Sequence, residues 1–212
     1  MTRVLACLLL TLLLAPVPSS AELRNTYVPI RTIALGPIAD PDDYAVVANG
    51  AAEQYDSRTF LKRDGARSLA DAMASEDLHL GNELHEAIAE ALLTAGMQVV
   101  PGETKGAGVR LLVALMPNTV AYSDSTLGDD LMPGFSVKVF VTDARTGRFL
   151  KTDSFLYGQV KERRGVHALY PDARYRFTSV DALLADPKSA AEGFRAGITL
   201  VAKEIAKEFG PR

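Results

Sequence analysis

The most regular hydrophobic pattern of the chain lies between Asn82 and Gly96. Apolar side chains recur there every three or four residues, with glutamates between them, which predicts an amphipathic helix. Asn82 is predicted to cap the first turn, and Gly96 is predicted to end the helix in the left-handed conformation. Because one helix cannot bury its apolar stripe alone, a sheet is expected beneath it. The stripe consists of Leu84, Ile88, Ala91, Leu92 and Ala95.

Alternating or continuous apolar segments predict the strands of this sheet. Residues 109–116 are apolar almost without interruption, which predicts burial on both faces and a central position. A turn at residues 143–147, with Gly147 available for positive φ, predicts a hairpin between the last two strands. Residues 117–133 are rich in Ser, Asp and Gly and are predicted to form a long connection. The predicted strands are residues 27–38, 97–100, 109–116, 135–142 and 148–160.

Two helices are predicted between the first strand and the central helix. Asp40 followed by Pro41 has the pattern of an N-cap and a first helical residue, which predicts a helix through residue 55. A shorter helix is predicted over residues 66–74, where apolar residues again recur at helical spacing. Together these segments form a predicted helical insertion, residues 40–80.

The last helix is predicted to run from Pro187 to Gly210, with Asp186 as its N-cap. Gly193 and Gly197 lie one turn apart on it, and this spacing favours close packing against the sheet or another helix. The order of elements predicts an α/β (α+β) fold. Its mixed sheet of four to five strands has a C-terminal β-hairpin, and it is packed by the central helix, the helical insertion and the C-terminal helix.

Residues 1–21 have the pattern of a secretory signal peptide. Arg3 precedes an almost wholly apolar run, and Ser19 and Ala21 provide the small residues of a cleavage site. The run is too short to cross a bilayer comfortably, which takes about 20 residues. We therefore expect this segment to be removed and residues 22–212 to form one domain without a transmembrane segment. The alternative is an uncleaved anchor.

The amino-acid composition limits the cellular compartments and the kinds of chemistry that fit this protein. Cys7 is the only cysteine and lies in the predicted signal peptide, so the processed chain has none. Disulfides, thiolate catalysis and cysteine-ligated metals are then excluded, and a cysteine-free exported chain fits a bacterial periplasm. The net charge of −3 becomes −4 when the single charge of Arg3 is removed. This balance gives no whole-protein reason to expect nucleic acid or an anionic membrane as a partner.

The motifs of known catalytic and cofactor sites are incomplete. No serine has the flanking glycines of a nucleophile elbow, and Lys105 precedes a glycine rather than following one as in a phosphate loop. Asp124 and Asp129 leave a carboxylate hydrolase as a third function class, without supporting spacing. A histidine and glutamate cluster lacks the second histidine of a zinc-protease helix, so we interpret it as a solvated helix face and predict no metal and no cofactor. The cluster comprises His79, Glu83, His85, Glu86 and Glu90.

A basic and aromatic stretch, residues 161–177, is the main candidate for a binding surface. Arginine forks bind carboxylates or phosphates, and tyrosine rings stack on sugars or bases. The alternative is an ordered loop whose aromatic side chains pack and whose arginines pair with nearby acids. The predicted binding residues are Arg163, Arg164, His167, Tyr170, Arg174, Tyr175 and Arg176.

Three segments together resemble a group of bacterial envelope proteins. They are a strand with a basic start and a proline, residues 31–38, a helix that passes through Ala-Gly into a strand, residues 84–100, and a strand that ends in Asp-Ala-Arg-Thr-Gly, residues 139–147. The group includes the N-terminal domain of TolB, the curli-secretion lipoprotein CsgG and the lipoprotein activators of penicillin-binding proteins. The resemblance implies a fold and a scaffolding or assembly role. The chain differs from the group in its longer insertion, its lack of a lipobox and its lack of pore-forming hairpins.

These observations favour two functions. The first is a non-enzymatic periplasmic accessory or assembly protein that binds an envelope protein or an anionic envelope polymer through exposed loops and the sheet edge. The alternative is a small-ligand or lipid carrier whose pocket lies under the helical insertion. Its lining would consist of Tyr44, Val47, Leu69 and Met73.

Overall fold

The computed structural model describes residues 32–47, 55–56, 69–103, 107–117, 119–125, 128–158 and 165–210. Within these residues the chain forms a mixed sheet of nine strands and four α-helices. The strands are β1 (Thr32–Leu35), β2 (Ala45–Val47), β3 (Tyr55–Asp56), β4 (Gln98–Pro101), β5 (Val109–Leu115), β6 (Ala121–Ser125), β7 (Gly128–Asp143), β8 (Phe149–Tyr157) and β9 (Val166–Leu169). The helices are α1 (Leu69–Ser75), α2 (Leu80–Thr94), α3 (Val180–Ala185) and α4 (Pro187–Phe209).

The sheet is organised around β7, the longest strand. The C-terminal half of β7 lies between β5 and β8, both antiparallel to it, and its N-terminal half pairs with β6. Beyond β5 lie β1 and then β4, each in parallel pairing, and beyond β8 lies β9, also parallel. Beyond β6 lie β2 and the short β3. The predicted α+β class with a mixed sheet is confirmed. The strand count and the C-terminal hairpin are not exact, because the sheet has more strands than the four to five predicted and β9 follows the β7–β8 pair.

The helices bury only one face of the sheet. In β5, Val109, Leu111 and Val113 are buried in one cluster with the apolar side chains of α2 and α4. Leu112, between them, points to the opposite face and is 53% exposed. We call this second face the outer face, and no helix of the described chain covers it. The central position predicted for β5 is confirmed, but the prediction of burial on both faces is wrong because the described helices form a single layer.

The helix predicted to begin at Asp40 is wrong. Residues 45–47 form β2 instead, where Val46 is buried and pairs with Tyr122 of β6. β-Branched side chains fit a half-buried sheet position, and this preference outweighs the N-cap signal of Asp40. The second predicted helix is confirmed from Leu69 onward as α1, and residues 48–54 and 57–68 of the insertion lie outside the described residues.

Two segments outside the predicted strands also contain strands. The predicted connection of residues 117–133 contains β6 and the first part of β7, which form a hairpin, and the stretch that follows β8 contains β9. In β6 and β7, Tyr122 and Leu131 face the core while neighbours such as Ser123 do not. The many polar residues around them made this alternation of buried and exposed positions hard to recognise in the sequence.

Asp40 caps α2 from outside that helix. The helix begins after His79 rather than at Asn82, so the predicted cap is wrong. The backbone amide of Gly81 donates to the Asp40 carboxylate. A side chain at Gly81 would place its Cβ 2.6 Å from the carbonyl oxygen of Ile38, so glycine is needed where the loop crosses the helix start. At the other end, Gly96 has a φ of 82°, as predicted.

Two glycines of α4 let tyrosine rings lie directly against the helix. A Cβ at Gly193 would overlap the hydroxyl of Tyr122, and a Cβ at Gly197 would overlap the ring of Tyr157. The Tyr122 hydroxyl donates to the carbonyl of Ala190 at 2.9 Å, and the Tyr157 hydroxyl donates to the carbonyl of Gly193 at 3.0 Å. Burial raises the pKa of both phenols, so they stay neutral. The predicted close packing of these glycines is confirmed.

Candidate functional site: a groove along α4

The structure distributes the predicted binding residues over more than one place. Arg163 and Arg164 lie outside the described residues. His167 is on β9, where its ring stacks on Phe155 with 4.6 Å between the centroids. Its Nδ1 lies 3.6 Å from the carboxylate of Glu204 on α4.

Arg176 also lies apart from the others. Its Nη1 is 3.3 Å from Oδ2 of Asp130, on the N-terminal half of β7. His167 and Arg176 therefore have local partners, which is the arrangement expected of an ordered, packed loop.

The three remaining residues come together along α4. Tyr170, Arg174 and Tyr175 line one side of a groove of about 680 Å³, and the helix forms the other side. We call this depression the α4 groove. Its other lining residues are Tyr157, Asp172, Glu192, Arg195, Ala196, Thr199 and Leu200.

A single 3₁₀ turn, Ala173–Tyr175, positions the loop side of the groove. The Asp172 carboxylate accepts a hydrogen bond from the Arg174 amide at 3.0 Å and so caps this turn. Tyr175 is only 8% exposed, and its Cβ packs over Gly193, so it anchors the turn to α4. The turn therefore projects Arg174 outward, with its guanidinium 4.8 Å from the centre of the Tyr175 ring.

Tyr170 and Arg174 form the accessible part of this side. Tyr170 directly follows β9 and is 53% exposed. Arg174 lies 3.7 Å from Asp172, but both side chains are more than half exposed, so this ion pair is weak. Tyr170 and Arg174 thus expose an aromatic ring and a guanidinium fork at the groove, and the turn that carries Arg174 has its backbone held in place.

On the helix side of the groove, Arg195 of α4 forms hydrogen bonds with two other parts of the chain. Nε of Arg195 donates to the Glu83 carboxylate at 3.0 Å, and its Nη2 donates to the carbonyl of Glu76 at 2.9 Å. These bonds tie α4 to α2 and to the end of α1, and both side chains of the ion pair are only partly exposed. The groove is therefore lined by a helix that cannot shift easily relative to the core.

Sequence reasoning missed the helix side of the groove. Glu192, Arg195, Ala196, Thr199 and Leu200 follow the helical repeat on a face next to the buried stripe of α4. A helical projection would have identified this face, but nothing in it differs from an ordinary solvated helix surface. Only the docking of the 3₁₀ turn distinguishes it.

The metal-like cluster does not converge in the structure. Glu83 is engaged by Arg195, and His79 lies between Asp40, at 3.6 Å, and Asp77, at 3.2 Å. Within the described residues, no group of three His, Cys, Asp or Glu side chains could hold a metal ion. In the same residues, no helix is long and apolar enough to cross a membrane.

The side chains predicted to line a carrier pocket are mostly packed. Leu69 and Met73 are buried in the core, and the ring of Tyr44 meets that of Phe194 edge-on at 5.8 Å between centroids. Val47 is half-buried on β2. Three of the four side chains are thus packed against other protein side chains, which does not favour a carrier pocket at the described residues.

Comparisons with known proteins show similarity at the level of solved structures alone. No protein-family model matches the chain, and no curated protein matches it significantly. A Xanthomonas campestris protein of the DUF330 family has a TM-score of 0.49 at 11% identity, over 86% of both chains. PelC from Paraburkholderia phytofirmans, a dodecamer, has a TM-score of 0.38 at 12% identity, over 86% of this chain and 89% of its own.

A third similar structure is the lipoprotein GNA1162 from Neisseria meningitidis. It has a TM-score of 0.30 at 14% identity, over 63% of this chain and 82% of its own. All three TM-scores are below 0.5, so these similarities transfer no function to this chain. The resemblance to TolB and CsgG stays a prediction.

Proposed function

We propose that the chain is an exported accessory protein that binds a segment of another envelope protein in the α4 groove. The observation that carries this proposal is the pairing of exposed Tyr170 and Arg174 with a helix face that Arg195 fixes to the core. Tyrosine and arginine are enriched at the centres of protein interfaces, because each combines a large contact area with hydrogen bonds.

The charges of the groove support a protein ligand over an anionic polymer. Arg195 is already paired with Glu83, so the groove offers one cation, Arg174, beside two acids, Asp172 and Glu192. A mixed set of donors and acceptors fits a peptide backbone with mixed side chains, whereas a polyanion would be repelled by the acids. The anionic polymer remains as the second outcome of the test below.

The titratable groups with shifted pKa values support binding rather than catalysis. Hydrogen bonds from Thr146 lower the pKa of Asp143 in a turn, and hydrogen bonds from Ser189 lower that of Asp186 at a helix start. Burial raises the pKa of Tyr157, the one such group in the groove, and its hydroxyl is already bonded to the helix. These three groups are held by hydrogen bonds that stabilise a turn, a helix start and the contact between β8 and α4.

A capture experiment with two arginine variants tests the proposal. The tagged protein is recovered from envelope extract as wild type, as Tyr170→Ala/Arg174→Ala and as Arg176→Ala, which is the matched control outside the groove. We expect the double variant to lose a protein partner that the wild type and the control retain. Both variants should unfold within about 0.5 kcal/mol of the wild type, because the altered side chains are exposed.

Other results would redirect or overturn the proposal. Equal loss from Arg176→Ala would move the binding surface to the wider basic stretch. Recovery of a polysaccharide or other polyanion, released by salt, would assign the groove to an anionic polymer. Undiminished capture by the double variant would exclude the groove as the binding site.

Export is tested separately from binding. Residues 1–21 lie outside the described residues, and the signal peptide stays a prediction. Fractionation of the producing cells, with mass measurement of the recovered protein, should place it in the periplasm with Glu22 as its first residue. A protein that retains residues 1–21 in the membrane fraction would instead be anchored by them.

A further inference from the structure

The outer face of the sheet presents cations to solvent around exposed apolar side chains. The pairing of β5 with β7 aligns Leu112 with Phe140. Arg110 lies two residues before Leu112 on β5, and Lys138 lies two residues before Phe140 on the antiparallel β7, so the two cations flank this apolar pair on opposite sides. Lys138 lies 6.0 Å from the centre of the Phe140 ring. The face thus combines an apolar centre with basic flanks.

The outer-face positions of β5 and of the C-terminal half of β7 hold no acid that could balance Arg110 and Lys138. On the neighbouring strands β1, β4, β8 and β9 the one acidic residue is Asp153, which is aligned with Val139 on the buried face. Farther along β7, Asp130 pairs with Arg176. Arg110 and Lys138 have no ion-pair partner within the described residues. The Nε of Arg110 is buried without a hydrogen-bond partner in that part of the chain.

The face continues to the tip of the β7–β8 hairpin. Phe149 is 58% exposed and Leu150 is 42% exposed, which is unusual for two consecutive apolar side chains. Phe149 is aligned with Thr142, and Thr142 is aligned with Arg110, so one rung links the tip to the basic flank. Arg148 precedes the two apolar residues and is exposed.

The carboxylate of Asp143, in the β7–β8 turn, accepts its hydrogen bonds from residues of the same turn. Asp143 accepts hydrogen bonds from the amide and hydroxyl of Thr146 at 2.7 and 2.8 Å, and from the amide of Arg145 at 3.0 Å. Arg145 also offsets its charge. The cations available to an external ligand are therefore Arg110, Lys138 and Arg148.

We propose that this face binds the surface of an anionic lipid bilayer. Phe149 and Leu150 enter the headgroup region, while the three cations contact lipid phosphates, the combination by which interfacial proteins adhere to anionic membranes. The assignment rests on charge complementarity, because a second copy packed face to face would set Arg110 and Lys138 against the same cations. It is independent of the function proposed for the α4 groove.

Vesicle sedimentation tests this assignment. The processed protein is mixed with vesicles of phosphatidylcholine alone, or of phosphatidylcholine with phosphatidylglycerol, at low and high salt. We expect binding to the anionic vesicles alone, weakened by salt. Arg110→Gln/Lys138→Gln/Arg148→Gln should weaken it on the order of 100-fold, since each basic residue near an anionic surface contributes roughly fivefold.

Two further variants distinguish binding through the outer face from non-specific adsorption of exposed apolar side chains to the vesicles. Phe149→Ser/Leu150→Ser should also weaken binding. Leu93→Ser alters an exposed apolar side chain of α2, outside the α4 groove, and should leave binding to the vesicles unchanged. All variants carry the same N terminus, so a retained apolar leader would not create a difference between them.

Several results would overturn the proposal. Equal binding to neutral vesicles, no binding to either kind, or full binding by the triple variant would each do so. A dimer in light scattering that the Phe149→Ser/Leu150→Ser variant abolishes would assign the face to a second copy. Release from anionic vesicles by an acidic partner protein that occupies the same residues would assign the face to that partner.

Discussion

Replacing Gly197 by alanine probes the contact between α4 and the sheet. Alanine alone should favour the helix by about 1 kcal/mol over glycine. In this position, however, the new Cβ would overlap the ring of Tyr157 and lie 2.7 Å from Cε1 of Phe135. Both rings are at most 1% exposed, and Tyr157 is further held by its hydrogen bond to Gly193, so neither can swing away.

The two effects oppose each other, and the structure decides which is larger. Overpacking a well-filled core costs roughly 1–3 kcal/mol, and displacing the Tyr157 hydroxyl from its acceptor adds about 1 kcal/mol. After the helix gain is subtracted, we expect Gly197→Ala to lower the free energy of unfolding by about 1–3 kcal/mol. Chemical denaturation should show this as a lower midpoint with an unchanged slope, and Tm should fall by roughly 2–4 °C for each kcal/mol.

A second substitution makes the interpretation specific. In a Tyr157→Leu background the ring is absent, so Gly197→Ala should cost less or become stabilising. If Gly197→Ala raises the stability of the otherwise unaltered protein by about 1 kcal/mol, helix propensity dominates and the close packing described here is refuted.

Three more predictions test how the core and its caps are held. Hydrogen bonds from the Ser189 side chain and amide hold the pKa of Asp186 below its usual range. The ionised carboxylate therefore stabilises the fold above about pH 4, the usual pKa of an aspartate. This stabilisation is lost as the pH falls through the lowered pKa. Asp186→Asn should remove that pH dependence, measured from urea midpoints down to acid pH. Arg195→Lys should lose about 1 kcal/mol because a single ammonium cannot reproduce the fork on Glu83, and equal stability by denaturation would contradict this. Tyr122→Phe should cost about 1 kcal/mol through its lost hydrogen bond, and an unchanged melting curve would show that the hydroxyl is dispensable.

The sequence predicted elements well where local chemistry decides the structure. Asp186 and Pro187 begin α4 as expected, and positive φ angles occur at Gly96 and Gly147. Each of these features depends on a few adjacent residues. Asp40 shows the limit, because its carboxylate caps a helix 41 residues away along the chain rather than one that follows it.

The site was predictable only in part for the same reason. The basic and aromatic stretch identified Tyr170, Arg174 and Tyr175, which share the groove, but composition could not separate them from His167 and Arg176, which have other partners. The opposite wall comes from α4, distant in sequence, and is brought there by packing of Tyr175 over a helix glycine. Juxtapositions of this kind depend on tertiary contacts, which a local pattern does not encode.

Binding of an envelope protein in the α4 groove is the main function proposed for this molecule. Site-specific photo-cross-linking from position 170 in intact cells tests it directly, with position 181, exposed on α3, as the reference. We expect a discrete protein adduct from position 170 that Arg174→Ala abolishes, and no such adduct from position 181. The same adduct from both positions, or an adduct from position 181 alone, would contradict it.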